Sequence, residues 1–289
     1  MPKVVEKNIE NQFEAITVLD LYDKHFDPNW HFHPHYQIFT VLKGTGTRFI
    51  GDNIQAFEAG DTVMIGPNLP HLWRSDKVYF DPENIENSHG IVVYFSENFL
   101  GNEFLEKSEM QNIKRLFEHA LRGMVIENQS RHKTIALLKK IVAQKGFERI
   151  LTLLELLHFL SNASDWQFIC SHGYVNSYKI SETERMQAVY EFVLKNFKEE
   201  IALSDIAEKV NMSVSAFCRY FKKRANKTFL DFVNEIRIGN ACKMLNENQY
   251  SIAEIAFESG YNSISNFNSQ FRKMMGCSPR AYIQIIGKS

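Results

Sequence analysis

Two sets of residues in this chain carry chemistry that needs an explanation. The first is a run of imidazoles: His31, His33 and His35 alternate with Phe32, Pro34 and Tyr36, and Gln37 continues the series. Alternation from Trp30 to Leu42 predicts a β-strand with His31, His33, His35, Gln37, Phe39 and Val41 on one face. Imidazoles gathered on one face can ligate a divalent ion, hydrogen-bond a small molecule, or report pH. The second set lies near the C-terminus. Ser215, Arg219, Lys222 and Lys223 share one exposed helical face, and Ser265, Asn266, Asn268, Ser269, Arg272 and Lys273 share another. Ser213 and Ser263, which open those two helices, are counted with them. Arginine and asparagine can read base edges, whereas lysine and serine more often hold phosphates. A plainer explanation is the solvated face of a small helical bundle. Against it, no acidic residue falls between Ser213 and Phe229 or between Ser259 and Tyr282.

The elements that must position the second set repeat one plan. In each unit a short helix, a tight turn and a second helix follow in order. Ser204 is expected to cap the first short helix, whose Ile206, Ala207 and Val210 face inward; Asn211 closes it, and Ser213 caps the next. The second unit begins with Ser251, buries Ile252, Ile255 and Ala256, and turns at Gly260. Phe217, Tyr220 and Phe221 line the inner face of one second helix, and Ile264, Phe267 and Phe271 that of the other. Ala207 and Ala256 are small where crossing helices need close approach.

These residues resemble the DNA-binding domain of the arabinose-regulator (AraC/XylS) family of bacterial transcription factors. The resemblance runs through Ile206-Ala207, Met212-Ser213, Phe217 and Phe221-Lys222, then Arg237, Ala241 and Met244-Leu245. It continues through Ile252-Ala253-Glu254-Ile255-Ala256, Gly260-Tyr261, Phe267, Phe271-Arg272 and Gly276-Cys277-Ser278-Pro279. It implies double-stranded DNA as partner, with the two second helices in adjacent major grooves and a connecting helix between them. One departure is Ala225-Asn226, where the family usually has Thr-Gly; asparagine tolerates the left-handed conformation that glycine would take.

Composition agrees with a globular, two-domain chain: 289 residues, 44% hydrophobic. From Asn176 onward there are 16 Lys and Arg against 12 Asp and Glu, a net charge of +4, while residues 1–175 carry −5. A basic module joined to an acidic one fits a DNA-binding unit carried by a separate domain. Cys170, Cys218, Cys242 and Cys277 are scattered without a CxxC pair, so neither a disulfide framework nor a zinc finger is expected. The mixed start Pro2-Lys3-Val4-Val5-Glu6 is not expected to act as a leader, and the apolar run Ile150 to Leu160 is interrupted by Glu155 and His158 and is too short to span a bilayer. No membrane association and a cytoplasmic location are expected.

Short strands at Thr47 to Gly51, Ile54 to Phe57, Asp61 to Ile65 and Gly90 to Phe95, separated by Gly and Pro turns, suggest a closed or folded-over antiparallel sheet. His31-Phe32-His33-Pro34, Leu42-Lys43-Gly44-Thr45-Gly46, Phe57-Glu58-Ala59-Gly60-Asp61 and Pro67-Asn68-Leu69-Pro70-His71 resemble a cupin, a small jelly-roll barrel that often senses ligands in this regulator family. The resemblance implies a metal set of His31, His33 and His71, with Gln37 where cupins generally place a glutamate. Glutamine is a neutral, weaker ligand, and Zn, Ni, Fe or Mn are the ions considered. His35 shares the strand face but lies outside that pattern. In the metal-free alternative the same imidazoles, with Trp30 and Trp73, line a pocket for an organic effector such as a sugar; in a third, no small-molecule site exists.

Beyond the strands, Gln111 to Gly123, Arg131 to Lys145 and Gly146 to Phe159 read as helices. The last is apolar round most of its circumference and needs partners on more than one side. Resemblance to the family favours a homodimer through these helices. The expected fold is therefore a two-domain α+β chain. Residues 1–163 form an antiparallel jelly-roll barrel with packed helices, 164–180 a linker with a hinge at Tyr174 to Tyr178, and 181–289 an all-α domain with two helix-turn-helix motifs. The expected function is a non-enzymatic, sequence-specific transcription regulator under effector control, with activation and RNA polymerase as partner implied by the family. Two alternatives stand beside it: an effector-independent regulator whose barrel only dimerises, and a metal-dependent cupin enzyme fused to a DNA-binding module.

Overall fold

A computed structural model of the chain describes residues 15–81, 83–172, 174, 180–247 and 250–286. They divide into two compact units, with the boundary between Thr183 and Glu184.

The first unit is built on nine strands: β1 (Ile16–Asp23), β2 (Tyr36–Lys43), β3 (Gly46–Ile50), β4 (Asn53–Phe57), β5 (Thr62–Ile65), β6 (His71–Ser75), β7 (Ser88–Phe95), β8 (Met124–Ile126) and β9 (Trp166–Phe168). Six of them pair in the order β1-β7-β2-β5-β8-β9, and three in the order β4-β3-β6. Central strand β2 is buried on both faces because each face has a partner layer. Phe39 and Val41 point into a core shared with Ile50, Phe57 and Trp73 of the smaller sheet. Tyr36 and Ile38 point the other way, into a core shared with α1 (Gln111–Ala120), α2 (Asn128–Ala143) and α3 (Phe147–Ser161).

The expected jelly-roll barrel is not formed. Closure requires an unbroken hydrogen-bond ladder around the circumference, and here the ladders stop at β1 and β9 in one sheet and at β4 in the other. Beyond β6, among the described residues, there is only an isolated His31–His71 bridge. The reason lies in the histidine stretch itself. The strand expected from Trp30 begins only at Tyr36, and Pro34, which has no N–H, sits where a ladder would have to continue.

Two further elements had no periodic signal. β8 and β9 are three residues each and pair with one another at the sheet edge. Residues 164–171, within the stretch read as linker, fold onto the first unit: Asp165 accepts from the Ser130 amide at 3.0 Å and from its hydroxyl, at the start of α2, and Ile169 and Cys170 are buried. The expected hinge falls on residues 174–178, of which all but Tyr174 lie outside the described residues. On α3, Thr152, Leu153, Leu156, Leu157 and Leu160 are buried, whereas Phe147 and Leu151 stay 69% and 50% exposed, so its second apolar side is uncovered within one chain.

The second unit is entirely helical as described: α4 (Ile180–Asn196), α5 (Leu203–Lys209), α6 (Val214–Ala225), α7 (Phe229–Glu247), α8 (Ile252–Glu258), α9 (Ile264–Met275) and α10 (Pro279–Ile286). The pairs α5–α6 and α8–α9 are the two helix-turn-helix units. Phe217, Phe221, Phe229 and Phe232 make one aromatic core, with neighbouring ring centroids 5.2–6.4 Å apart. Ile238, Ala241, Leu245, Ile255, Ala256, Tyr261, Phe267 and Phe271 make the other.

Candidate nucleic-acid interface and metal centre

The recognition faces begin at their caps. Ser213 accepts the Ala216 amide at 3.3 Å to start α6, and Ser263 accepts the Asn266 amide at 3.4 Å to start α9. Both hydroxyls are therefore engaged in capping. Ser251 and Glu254 form a reciprocal capping box on α8. Ser204, expected to cap α5, does not: the helix starts two residues earlier, with Ala202 at the cap position and no side-chain cap. Asn226 ends α6 in the left-handed region at φ 53°, as its substitution for glycine requires.

Past the caps, Ser215, Arg219, Lys222 and Lys223 on α6 are exposed, as are Ser265, Asn266, Ser269, Arg272 and Lys273 on α9, with Asn268 half-buried. On α9 the residues Ser265, Asn268, Ser269, Arg272 and Lys273 border one shallow concavity of about 740 Å³. Lys273 is not a solitary cation: its Nζ lies 3.0 Å from Asp231 Oδ1, at the start of α7. The Thr228 hydroxyl first, and then this ammonium, hold the Asp231 carboxyl below its usual range.

A fixed scaffold sets where α9 stands. Arg237 on α7 donates from Nε to the Phe197 carbonyl and from Nη2 to the Glu199 carbonyl, both at 2.7 Å. Its guanidinium lies 5.5 Å from the Tyr261 ring centroid, and the Tyr261 hydroxyl donates to Asn234 Oδ1 at 3.0 Å. Gly260 bends the α8–α9 turn at φ +86°, and a methyl there would overlap the Phe197 carbonyl oxygen and come 2.9 Å from Lys198 Cα.

In the first unit the imidazoles of His31, His33 and His71 converge although they do not share a strand. Their ligand atoms all lie within 4.8 Å of one another, and all three residues are buried. A backbone carbonyl meets each Nδ1: Asn29 O at 2.8 Å for His31, His35 O at 3.0 Å for His33, and Leu69 O at 2.7 Å for His71. Such a carbonyl keeps the proton on Nδ1 and makes Nε2 the lone-pair nitrogen, the usual arrangement behind a metal-bound imidazole. Burial, above all, drives the His33 pKa down to about 3, so that ring is neutral. In this arrangement His33 Nε2 lies 2.9 Å from Gln37 Oε1, a contact that an ion at that nitrogen must displace. Gln37 thus holds His33 in place. A tetrahedral ion at about 2.0–2.1 Å from each nitrogen needs those nitrogens about 3.3 Å apart, so the cluster must tighten around it. The donor set suits a divalent ion such as zinc.

The remaining residues read as an effector site divide. His31, Gln37 and Trp73, with Phe39 and Tyr94, border a cavity of about 40 Å³ between the sheets. Trp30 is fully buried. His35 is not among the residues whose ligand atoms converge. One inward group escaped the sequence reading. Arg48 on β3 pairs in register with Trp73, is 1% exposed, donates to Gln55 at 2.8 Å and stands 3.4 Å from Asp61. The alternation Gly46, Arg48, Ile50 was its available signal, because Ile50 faces the core.

Residues 206–285 match the family model described as a helix-turn-helix domain, and residues 18–78 the one described as a cupin domain. The HTH-type transcriptional regulator YdeC of Bacillus subtilis (strain 168) is 27% identical over 261 residues, spanning 87% of this chain and 84% of its own. The HTH-type transcriptional activator RhaR of Mannheimia succiniciproducens is 23% identical over 270 residues, spanning 90% and 89%. Among solved structures, ToxT from Vibrio cholerae aligns over 93% of this chain and 98% of its own, at 14% identity and a TM-score of 0.36. The sequence relatives are transcriptional regulators, not catalytic enzymes, and no helix among the described residues is long and apolar enough to cross a membrane. With both domain matches in their expected places, this chain is an AraC/XylS-type helix-turn-helix transcriptional regulator with an N-terminal cupin-like domain.

Proposed function

We propose that this regulator is an activator whose grip on DNA is set by a divalent metal ion held at His31, His33 and His71. The observation that carries the reading is the buried trio itself, with every Nδ1 tied to a carbonyl. Cavity size favours an ion over the organic effector, such as a sugar, that the family resemblance suggests. About 40 Å³ between the sheets falls far below the roughly 300 Å³ at which small-molecule sites begin, so a sugar would have to force the packed sheets apart. Activation is supported by relatives named as activators, RhaR and RhaS, and implies RNA polymerase as a partner.

DNA is read by α6 and α9, with Arg219, Asn266, Asn268 and Arg272 toward base edges and the serines and lysines toward phosphates. The chain acts as a homodimer, for which the uncovered side of α3 around Phe147 and Leu151 is the natural contact. The ion changes DNA affinity only insofar as it binds the DNA-competent arrangement differently.

Native mass spectrometry of the purified chain, before and after chelation and zinc reconstitution, tests the reading. One zinc per chain, lost in His33→Ala and His71→Ala while the chain remains folded by circular dichroism, is expected. A wild-type chain that takes up no stoichiometric ion would remove the metal from the account.

A further inference from the structure

Residues 169–171, which precede the boundary between the two units, are fastened to the same turn that braces the histidine centre. Four links connect the two. His31 and His71 exchange backbone hydrogen bonds at 3.1 and 2.9 Å. His71 sits opposite Ile50 in the β6–β3 register. Gly51, in the β3–β4 turn, donates its amide to the Pro70 carbonyl at 2.9 Å. Asp52, next in the turn and 6% exposed, accepts from the Ser171 amide at 3.1 Å and from the Ser171 hydroxyl.

The fit at the last link is tight. Cys170 is buried, and its thiol donates to the Ile50 carbonyl at 3.6 Å. A Cβ on Gly51 would lie 2.5 Å from Cys170 Sγ and 3.0 Å from Tyr174 Cζ. A displacement of the turn therefore cannot be absorbed by slack beneath the segment. Dense packing and a doubly hydrogen-bonded carboxylate transmit small shifts as rigid movement.

We propose that Asp52 and Ser171 form the clamp through which occupancy of the histidine centre reaches the segment leading to the DNA-binding unit. The inference rests on the metal reading above. Drawing His31 and His71 toward an ion moves residues 69–71, and the Pro70–Gly51 hydrogen bond carries that shift to the turn and to Ser171. In a linked system the ion then changes DNA affinity by the same factor by which DNA changes ion affinity.

The full chain is assayed by fluorescence anisotropy on a duplex it selects from a random-sequence pool, with and without zinc. Hydrogen exchange at the Ser171 amide is followed under the same two conditions. In the wild type, zinc should shift the DNA Kd by at least about 5-fold and change exchange at Ser171. In Asp52→Asn, and in the milder Ser171→Ala, the shift should fall below about 2-fold with one zinc per chain retained, and the double variant should lose no more than either single change. Variants that keep the wild-type shift, or a Ser171 amide indifferent to zinc in a chain that binds it, would overturn the clamp and leave the metal reading intact. A wild type that binds no zinc would overturn both.

Discussion

Replacing Gly260 with alanine tests how the second recognition helix is held. The backbone there has φ +86°, which costs an L-residue roughly 1–2 kcal/mol. The added methyl also overlaps the Phe197 carbonyl oxygen and stands 2.9 Å from Lys198 Cα and 3.0 Å from Arg237 Nε. Relieving that contact must pull the end of α4 from Arg237, whose bonds to the Phe197 and Glu199 carbonyls are 2.7 Å each. Hydrogen bonds to a charged group contribute about 1.5–3 kcal/mol. Together a loss of about 2.5–5 kcal/mol is expected, roughly 10–40 °C in the Tm of a unit this size. Gly276 supplies the control: it has φ +71°, but a methyl there meets nothing within 4 Å. Gly276→Ala should therefore cost only the conformational part, about 1–2 kcal/mol. Calorimetry on both variants, with anisotropy on the selected duplex, reads the difference. A Gly260→Ala chain that melts with Gly276→Ala and binds DNA like the wild type would refute the proposed role of the Phe197–Arg237–Tyr261 scaffold.

Asp231→Asn releases Lys273 from its ion pair; DNA affinity should rise, and the salt dependence of binding should steepen by up to about one unit of log K per log salt, measured by anisotropy across a salt series. Unchanged slope would place Lys273 away from phosphate. Leu151→Glu and Phe147→Glu put charge on the uncovered side of α3 and should shift sedimentation from dimer to monomer with Tm changed by only a few degrees; dimers that persist in both variants would move the interface elsewhere.

The helical unit was legible because its signals are local. Ser213 and Ser251 cap as their spacing indicated, and Asn226 and Gly260 take the positive φ that their turns demand. Ser204 failed as a cap by two residues, since helix starts carry the least local information. The sheets were less legible because pairing is non-local. Alternation identified β2, yet nothing in a three-residue β8 or β9 announces a partner, and whether a sheet closes depends on those pairings. The histidines are the instructive case. The alternation that grouped them was not a strand, but His31 and His33 still meet His71, because the His31–His71 bridge and the Asn68 amide on the His33 carbonyl at 2.8 Å draw the two loops together. Arg48, read only as part of a returning strand, belongs to the inner face that Ile50 marks.

The most direct measurement is the affinity of the metal-free full chain for its selected duplex as zinc is titrated in, alongside His71→Ala. The wild type should shift its Kd by at least about 5-fold, saturating at one zinc per chain, and His71→Ala should not respond. Equal affinity at every zinc concentration, in a wild type shown to carry the ion, would contradict control of DNA binding by the histidine centre.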